Sequence, residues 1–210
     1  MCEPTSRAHA ERGHEEVQTT MSDVSPYLWL IPILPLAAAV LTAFFGPQLL
    51  RRHSHWPCIL AGTVSCILSL LVLFAVIQAP HEEPFQISVY YPLFQVGAGT
   101  QHALDIRFGL RADALTSIML VMITFIGTLI TTFSIGYMHS EIDDGHGHGH
   151  GHGGGTPNFG YPRFFAEVAL FIFSMTLLVL ADNFILLYAG WEGVGLCSYL
   201  LIGFWFTRPS

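Results

Sequence analysis

The residue with the clearest capacity for chemistry is Glu192, a single carboxylate in the apolar run between Phe184 and Phe206. At 1.5 Å per helical residue it would lie about 12 Å into a helix that begins at Phe184, near the middle of a hydrocarbon layer about 30 Å thick. A charge at that depth costs at least about 2.5 kcal/mol and is normally kept for a function. Burial favours the neutral acid and a nearby cation favours the carboxylate, so such a glutamate can load and release a proton. We expect Glu192 to be a proton-relay residue; the alternative is a glutamate held protonated by a tyrosine or a backbone carbonyl, without a role in transport.

Small residues recur every four positions beside this glutamate, at Ala189, Gly193 and Cys197. A stripe of small side chains allows a second helix to approach closely inside a membrane. We therefore expect these three residues to form a helix-packing surface, and the Glu192 carboxylate to face the interior of a bundle instead of lipid.

Four histidines alternate with glycine in a polar loop at 139–163; they are His146, His148, His150 and His152. Imidazoles bind Zn, Ni or Cu, but the intervening glycines leave these ligands without a fixed geometry. We favour a tolerated low-complexity insertion over a metal site. A metal transporter with a His-rich loop is the corresponding alternative function, and it is disfavoured because all 11 histidines fall outside the predicted membrane spans.

The elements that would position Glu192 are set by composition and patterning. The 210 residues are 52% hydrophobic and only 11% charged, whereas soluble domains carry about 25% charge. Together these values predict an all-α membrane protein. The five long apolar runs that we expect to cross the membrane are 27–49, 57–79, 112–137, 164–181 and 184–206.

The segments outside these runs are polar or irregular. Residues 1–25 have the composition of a disordered tail that precedes the membrane domain at 26–206. Apolar and polar residues alternate on both sides of the glycine-rich Gly97–Thr100 segment, which predicts a short β-hairpin within 80–110.

Two stretches of the sequence resemble a known family. The run ADNFILLYAGWEGVGLCSYLLIGFWF at 181–206 and the run LDIRFGLRADALTSIMLVMITFIGTLITTFSIGYMHS at 104–140 are similar to the antiporter-like subunit L of respiratory NADH-quinone oxidoreductases, called subunit 5 in mitochondria. The resemblance covers most of 27–206 and implies a partial antiporter-like bundle. Glu192, in WEGVG, matches the family's glutamate on its fifth core helix, which pairs in the family with a lysine on a later helix.

The resemblance also implies a function. It predicts a membrane-arm subunit that takes part in proton translocation coupled to electron transfer from NADH to quinone, and that is an enzyme only as part of that complex. No redox centre is visible in this chain, so NADH, FMN, iron–sulfur clusters and quinone would belong to the implied complex. The expected partners are other membrane-arm subunits and the lipid bilayer, without nucleic acid, in a bacterial plasma membrane in preference to the mitochondrial inner membrane.

The chain also departs from the family. It contains no lysine, because all eight basic residues are arginines, and it ends at Ser210 just after the fifth span. We expect it to be the N-terminal part of a family member, with a truncated end at 207–210, and to be inactive alone. The large subunit of a multisubunit Na⁺/H⁺ antiporter, which shares this helix architecture, is the second interpretation.

Overall fold

The computed structural model describes residues 27–46, 53–78, 87–96, 104–144 and 160–205. These ranges contain five helices that are long and apolar enough to cross a membrane. They are α1 (Tyr27–Phe45), α2 (His55–Gln78), α3 (Ala114–Asp144), α4 (Gly160–Leu180) and α5 (Phe184–Ile202). The prediction of a helical membrane domain with five crossings is confirmed. The predicted tail at 1–25, the histidine tract and residues 207–210 lie outside the described ranges.

The third helix starts later and ends later than the predicted span at 112–137, since it runs from Ala114 to Asp144. Its start is fixed by Asp113, whose carboxylate accepts a 2.8 Å hydrogen bond from the backbone N–H of Thr116. That bond satisfies one of the free amides of the first turn, as an N-cap does. The same donated bond holds the pKa of the Asp113 carboxyl below its usual value.

The fourth and fifth helices also differ from their predicted ranges. Helix α4 begins at Gly160 instead of 164, with Pro162 in its first turn, where the missing N–H of proline does no harm. Helix α5 ends at Ile202, and the chain continues as a 3₁₀ turn from Gly203 to Trp205. Both changes leave Glu192 where the sequence placed it along α5.

The predicted hairpin is present. Strand β1 (Ile87–Val96) pairs antiparallel with β2 (Leu104–Ala112), and the pairing is irregular between Pro92 and Phe94. Because proline has no N–H to donate to the partner strand, it is a natural site for such an irregularity. The glycine-rich segment at 97–100 lies outside the described residues.

Strand β2 is bonded to the short break between α4 and α5. Leu110 forms a β-bridge with Ala181, and the backbone N–H of Asp182 donates to the carbonyl of Gly109 at 3.1 Å. A Cβ atom at Gly109 would lie 2.9 Å from the Tyr90 ring and 3.1 Å from the Asp182 Cβ, so a side chain here would displace its neighbours. The hairpin thus covers the end of the bundle from which α5 starts.

Buried apolar residues form two clusters near opposite ends of the bundle. The cluster at the hairpin end contains Leu28, Ile31, Val72, Leu110, Ala112, Leu120, Leu180 and Leu186. The cluster at the other end contains Ala38, Ala39, Cys58, Ala61, Met138, Tyr161, Phe165 and Ala169. The residues of α4 pass from the second cluster to the first as the helix proceeds, so its amino end lies at the end opposite the hairpin.

Candidate functional site

The start of α5 is fixed by Asn183. The side-chain oxygen of Asn183 accepts a 2.9 Å bond from the Leu186 N–H, and its carbonyl accepts a 3.0 Å bond from the Leu187 N–H. This cap starts the helix at Phe184, so Glu192 lies about 12 Å along it. The depth predicted for the carboxylate therefore follows from a defined helix start.

Helix α5 approaches α4 through two glycines. A Cβ atom at Gly190 would lie 2.8 Å from the backbone N and Cα of Leu178, and one at Gly193 would lie 2.6 Å from the hydroxyl of Ser174. Real Cβ atoms essentially never make contacts this short. The backbones of the two helices can be this close only because both positions lack a side chain.

The predicted small-residue stripe coincides with this interface in part. Gly193 faces Ser174, and Cys197 is buried, but the Ala189 side chain is exposed. A spacing of four residues turns by about 40° beyond a full circle at each step, so the stripe drifts around the helix. Gly190, which the sequence argument did not select, occupies the contact instead, because the spacing 186, 190, 193 and 197 follows one face.

The Glu192 side chain lies on the outer surface of α5 in the described part of the chain. This differs from the expectation that the carboxylate faces the interior, because the packed face of α5 is the one that carries Gly190 and Gly193. The surrounding surface is aromatic and unpacked, with Tyr188 59% and Tyr199 75% exposed. The phenol of Tyr188, one turn earlier, donates a hydrogen bond to the Glu192 carboxylate.

The ion pairs among the described residues do not include Glu192. Arg111 Nη1 lies 4.0 Å from Asp182 Oδ1, and Arg163 Nε lies 2.7 Å from Glu167 Oε1. Among the described residues, the Glu192 carboxylate therefore has the Tyr188 phenol beside it and no cation, which is the group that would stabilise its charge in a membrane. In the described residues the site therefore consists of an acid, its phenol donor and an open helix face.

Another carboxylate, Glu167, is buried although the sequence alone did not indicate it. Glu167 lies in the second turn of α4 and is only 7% exposed. A position near a helix end would allow contact with water, but the side chain lines a groove beside α1 and accepts a bond from Arg163 one turn earlier. The Arg–Glu spacing of four residues was the available sign of this pair.

Metal-binding geometry is not found in the described ranges, where no three His, Cys, Asp or Glu side chains come together. The four histidines of the glycine-rich tract fall outside those ranges. Their predicted status as a tolerated insertion is therefore still a prediction.

Comparison with known proteins matches two parts of the chain to family descriptions. Residues 100–147 match the N-terminal domain of chain 5 of NADH-ubiquinone oxidoreductase, complex I. Residues 181–210 match the transmembrane domain described for NADH:quinone oxidoreductases and Mrp antiporters, and this segment contains Glu192.

Similar full proteins carry the same family name. Subunit L of NADH-quinone oxidoreductase from Neisseria meningitidis serogroup B is 38% identical over 190 residues, which is 90% of this chain and 25% of that protein. Subunit L from Mycobacterium tuberculosis is 35% identical over 185 residues, covering 88% of this chain and 25% of that protein. NADH-ubiquinone oxidoreductase chain 5 from Dictyostelium discoideum is 36% identical over 176 residues, covering 84% of this chain and 22% of that protein. The chain spans about a quarter of the length of these relatives, and it belongs to the subunit L and chain 5 family of NADH-quinone oxidoreductases, as the sequence motifs indicated.

Proposed function

We propose that this chain is part of a membrane-arm subunit of a proton-pumping NADH:quinone oxidoreductase, and that Glu192 is a proton-relay residue in it. The observation that carries the proposal is the position of Glu192 on an open face of α5, bonded to Tyr188 and at mid-membrane depth. The relatives are about four times as long as the chain, so their remaining length is available to cover this face.

The chemistry follows from the cost of an isolated charge in the membrane. Approach of a cationic group to Glu192 favours the ionised carboxylate, and withdrawal of that cation favours uptake of a proton. The Tyr188 phenol donates to the carboxylate, so it orients the acid while the proton is absent. An alternation between these two states would move protons through the middle of the subunit.

Electron transfer is assigned to other subunits of the complex. We derive no step through an iron–sulfur cluster or FMN in this chain. When bound in those other subunits, such groups carry electrons from NADH to quinone, and this chain would contribute proton movement. We place the complex in a bacterial plasma membrane.

The test is Glu192→Gln in the full-length subunit assembled in its complex. Glutamine keeps the size and the hydrogen-bond acceptor but cannot take up a proton. We expect proton uptake by inside-out vesicles during NADH oxidation, followed with a fluorescent pH-gradient probe, to fall by about tenfold or more. Normal NADH oxidation with an artificial electron acceptor would show that the electron-transfer subunits are intact, and co-purification of the variant subunit with that activity would show that it has assembled.

Two further variants separate the role of the titratable carboxyl group from that of the Tyr188 hydrogen bond. Glu192→Asp keeps a titratable carboxyl and is expected to retain measurable pumping, whereas Tyr188→Phe removes only the donated bond and is expected to lower pumping in part. Unchanged proton uptake in the Glu192→Gln complex would show that the glutamate is only a structural group.

A subunit of a multisubunit Na⁺/H⁺ antiporter is the second candidate, and the shared description of the domain matching residues 181–210 favours keeping it. Affinity purification of the full-length protein separates the two functions. Co-purification with NADH dehydrogenase activity supports the oxidoreductase, and Na⁺/H⁺ exchange without that activity supports the antiporter.

A further inference from the structure

A groove of about 430 Å³ runs along the bundle between the second half of α1 and the first half of α4. The residues that matter for its chemistry are Ala39, Ala43 and Phe44 on α1 and Arg163, Glu167 and Leu170 on α4. Helix α1 ends at Phe45 and α4 begins at Gly160, so Phe44 and Arg163 mark the end of the groove near water. Ala39 and Leu170 mark its deep end, with Leu170 about 10 Å further along the helix than Arg163.

The shallow end of the groove contains an incompletely satisfied carboxylate. Glu167 Oε1 accepts a 2.7 Å bond from Arg163 Nε, whereas Glu167 Oε2 is buried and has no hydrogen-bond partner. A buried carboxylate oxygen without a donor is unfavourable by the full cost of its lost hydration. The terminal torsion of a glutamate is broad, so a small rotation turns this oxygen toward a ligand in the groove.

The cation of the pair also has unused capacity. The Arg163 side chain is 46% exposed and lies with its guanidinium carbon 5.8 Å from the centre of the Phe204 ring. Its Nε is bonded to Glu167, and no described residue accepts a bond from its terminal amino groups. Guanidinium groups with free N–H donors bind phosphate well.

We propose that this groove binds a glycerophospholipid with a primary-ammonium headgroup, phosphatidylethanolamine being the simplest. Its phosphate would bond to Arg163, its ammonium would supply the missing donor to Glu167 Oε2, and one acyl chain would fill the apolar part of the groove. Each charge of the headgroup would then lie beside a side chain of opposite charge. In a bilayer spanned by α4, its first turn would lie at the level of the lipid phosphates and the apolar wall would lie below it.

The charge pattern distinguishes this lipid from its common relatives. Phosphatidylcholine has a quaternary ammonium without an N–H, so it cannot donate to Oε2. Phosphatidylglycerol has no cation, so it places a phosphate near the carboxylate and offers only neutral hydroxyl donors. The selectivity therefore depends on the Glu167 oxygen that has no partner.

The test uses the full 210-residue chain, purified in detergent and stripped of lipid. Phosphatidylethanolamine, phosphatidylcholine and phosphatidylglycerol with identical acyl chains are titrated onto it, and native mass spectrometry measures the apparent dissociation constants. Because a hydrogen bond to a charged group is among the stronger ones, we expect phosphatidylethanolamine to bind about tenfold more tightly than phosphatidylcholine.

Two matched variants locate the preference. Glu167→Gln keeps an acceptor for Arg163 but loses the charge, and is expected to reduce the preference to about twofold or less. Glu192→Gln makes the same chemical change on an exposed carboxylate outside the groove. It is expected to leave the tenfold preference unchanged.

Blocking the groove provides an independent readout. Ala43→Phe places a ring in the groove and is expected to remove binding of all three lipids, while thermal unfolding shows whether the variant is folded. Equal binding of phosphatidylethanolamine and phosphatidylcholine, tighter binding of phosphatidylglycerol, or no lipid binding would each overturn the proposal. A dimer of the wild-type chain that Ala43→Phe dissociates would also overturn it, since the groove would then hold a second copy.

Discussion

Replacement of Gly190 by alanine should push α5 away from α4. The added methyl group would lie 2.8 Å from both the backbone N and the Cα of Leu178. Carbon atoms reach their favourable separation only at about 3.5 Å, so the helices must part locally by about 0.7 Å. Rotation of a side chain cannot relieve the overlap, because the opposing atoms belong to the main chain.

The size of the effect is obtained from a matched pair of variants. Alanine is a better helix former than glycine by up to about 1 kcal/mol, and this gain partly hides the packing cost in Gly190→Ala. Gly195→Ala adds the same methyl group where nothing lies within 4 Å, so it has the gain without the cost. The difference between the two variants isolates overpacking, for which we expect about 1–3 kcal/mol.

The assay is thermal unfolding of the purified chain in detergent, followed by circular dichroism. For a chain of this length 1 kcal/mol corresponds to about 3 °C, so Gly190→Ala should unfold about 3–9 °C below Gly195→Ala. Gly193→Ala should lose less, because the obstacle is the Ser174 hydroxyl at 2.6 Å, and adding Ser174→Ala should restore part of the loss. If Gly190→Ala and Gly195→Ala unfold at the same temperature, the close backbone approach of α4 and α5 is wrong.

Two further predictions concern the hairpin end of the bundle. Asp113→Ala should lower the stability by about 1 kcal/mol at neutral pH by removing the acceptor of the Thr116 amide, and thermal unfolding measures it. The Thr116 amide lowers the pKa of Asp113 in the folded protein, so the stability that this bond contributes is complete above the usual pKa of 3.8. It is lost as the pH falls through the lower pKa of the folded protein. A difference in stability between Asp113→Ala and wild type that persists in stronger acid would contradict the assignment. Arg111→Gln should cost about 0.2–1 kcal/mol in the same assay, since the 4.0 Å pair with Asp182 is 42% exposed on the arginine side and the backbone bond to Gly109 is kept. A larger loss would show that the ion pair, and not the backbone bond, attaches the hairpin.

The helices and the hairpin could be predicted from the sequence because the bilayer restricts a crossing chain to a few solutions. A backbone in hydrocarbon must satisfy its own polar groups, so a long run without charge indicates a helix. Strict alternation, as in the segment up to Leu110, indicates a strand. Helix starts were less accurate because they depend on single contacts, such as the bond from Thr116 to Asp113 and the first-turn position of Pro162.

The directions of the side chains at the site depend on how the helices pack against one another, and local sequence does not specify this packing. The depth of Glu192 follows from counting along α5, but its direction depends on which face of α5 meets α4. The sequence shows equally well a stripe through Ala189 and one through Gly190, and only the second contacts the neighbouring helix. Glu167 is buried where the first half of α4 packs near α1, and nothing near Glu167 in the sequence specifies that packing.

The bond between β2 and the break after α4 has a consequence for the order in which the protein is made. Strand β2 leaves the ribosome before α3, but its partner at Ala181 is synthesised only after the chain has crossed the bilayer twice more. The outer edge of β2 therefore has no bond to Ala181 until α4 has been inserted. Closure of this bridge joins β2 to the break that follows α4, so it requires that both α3 and α4 have already crossed the membrane.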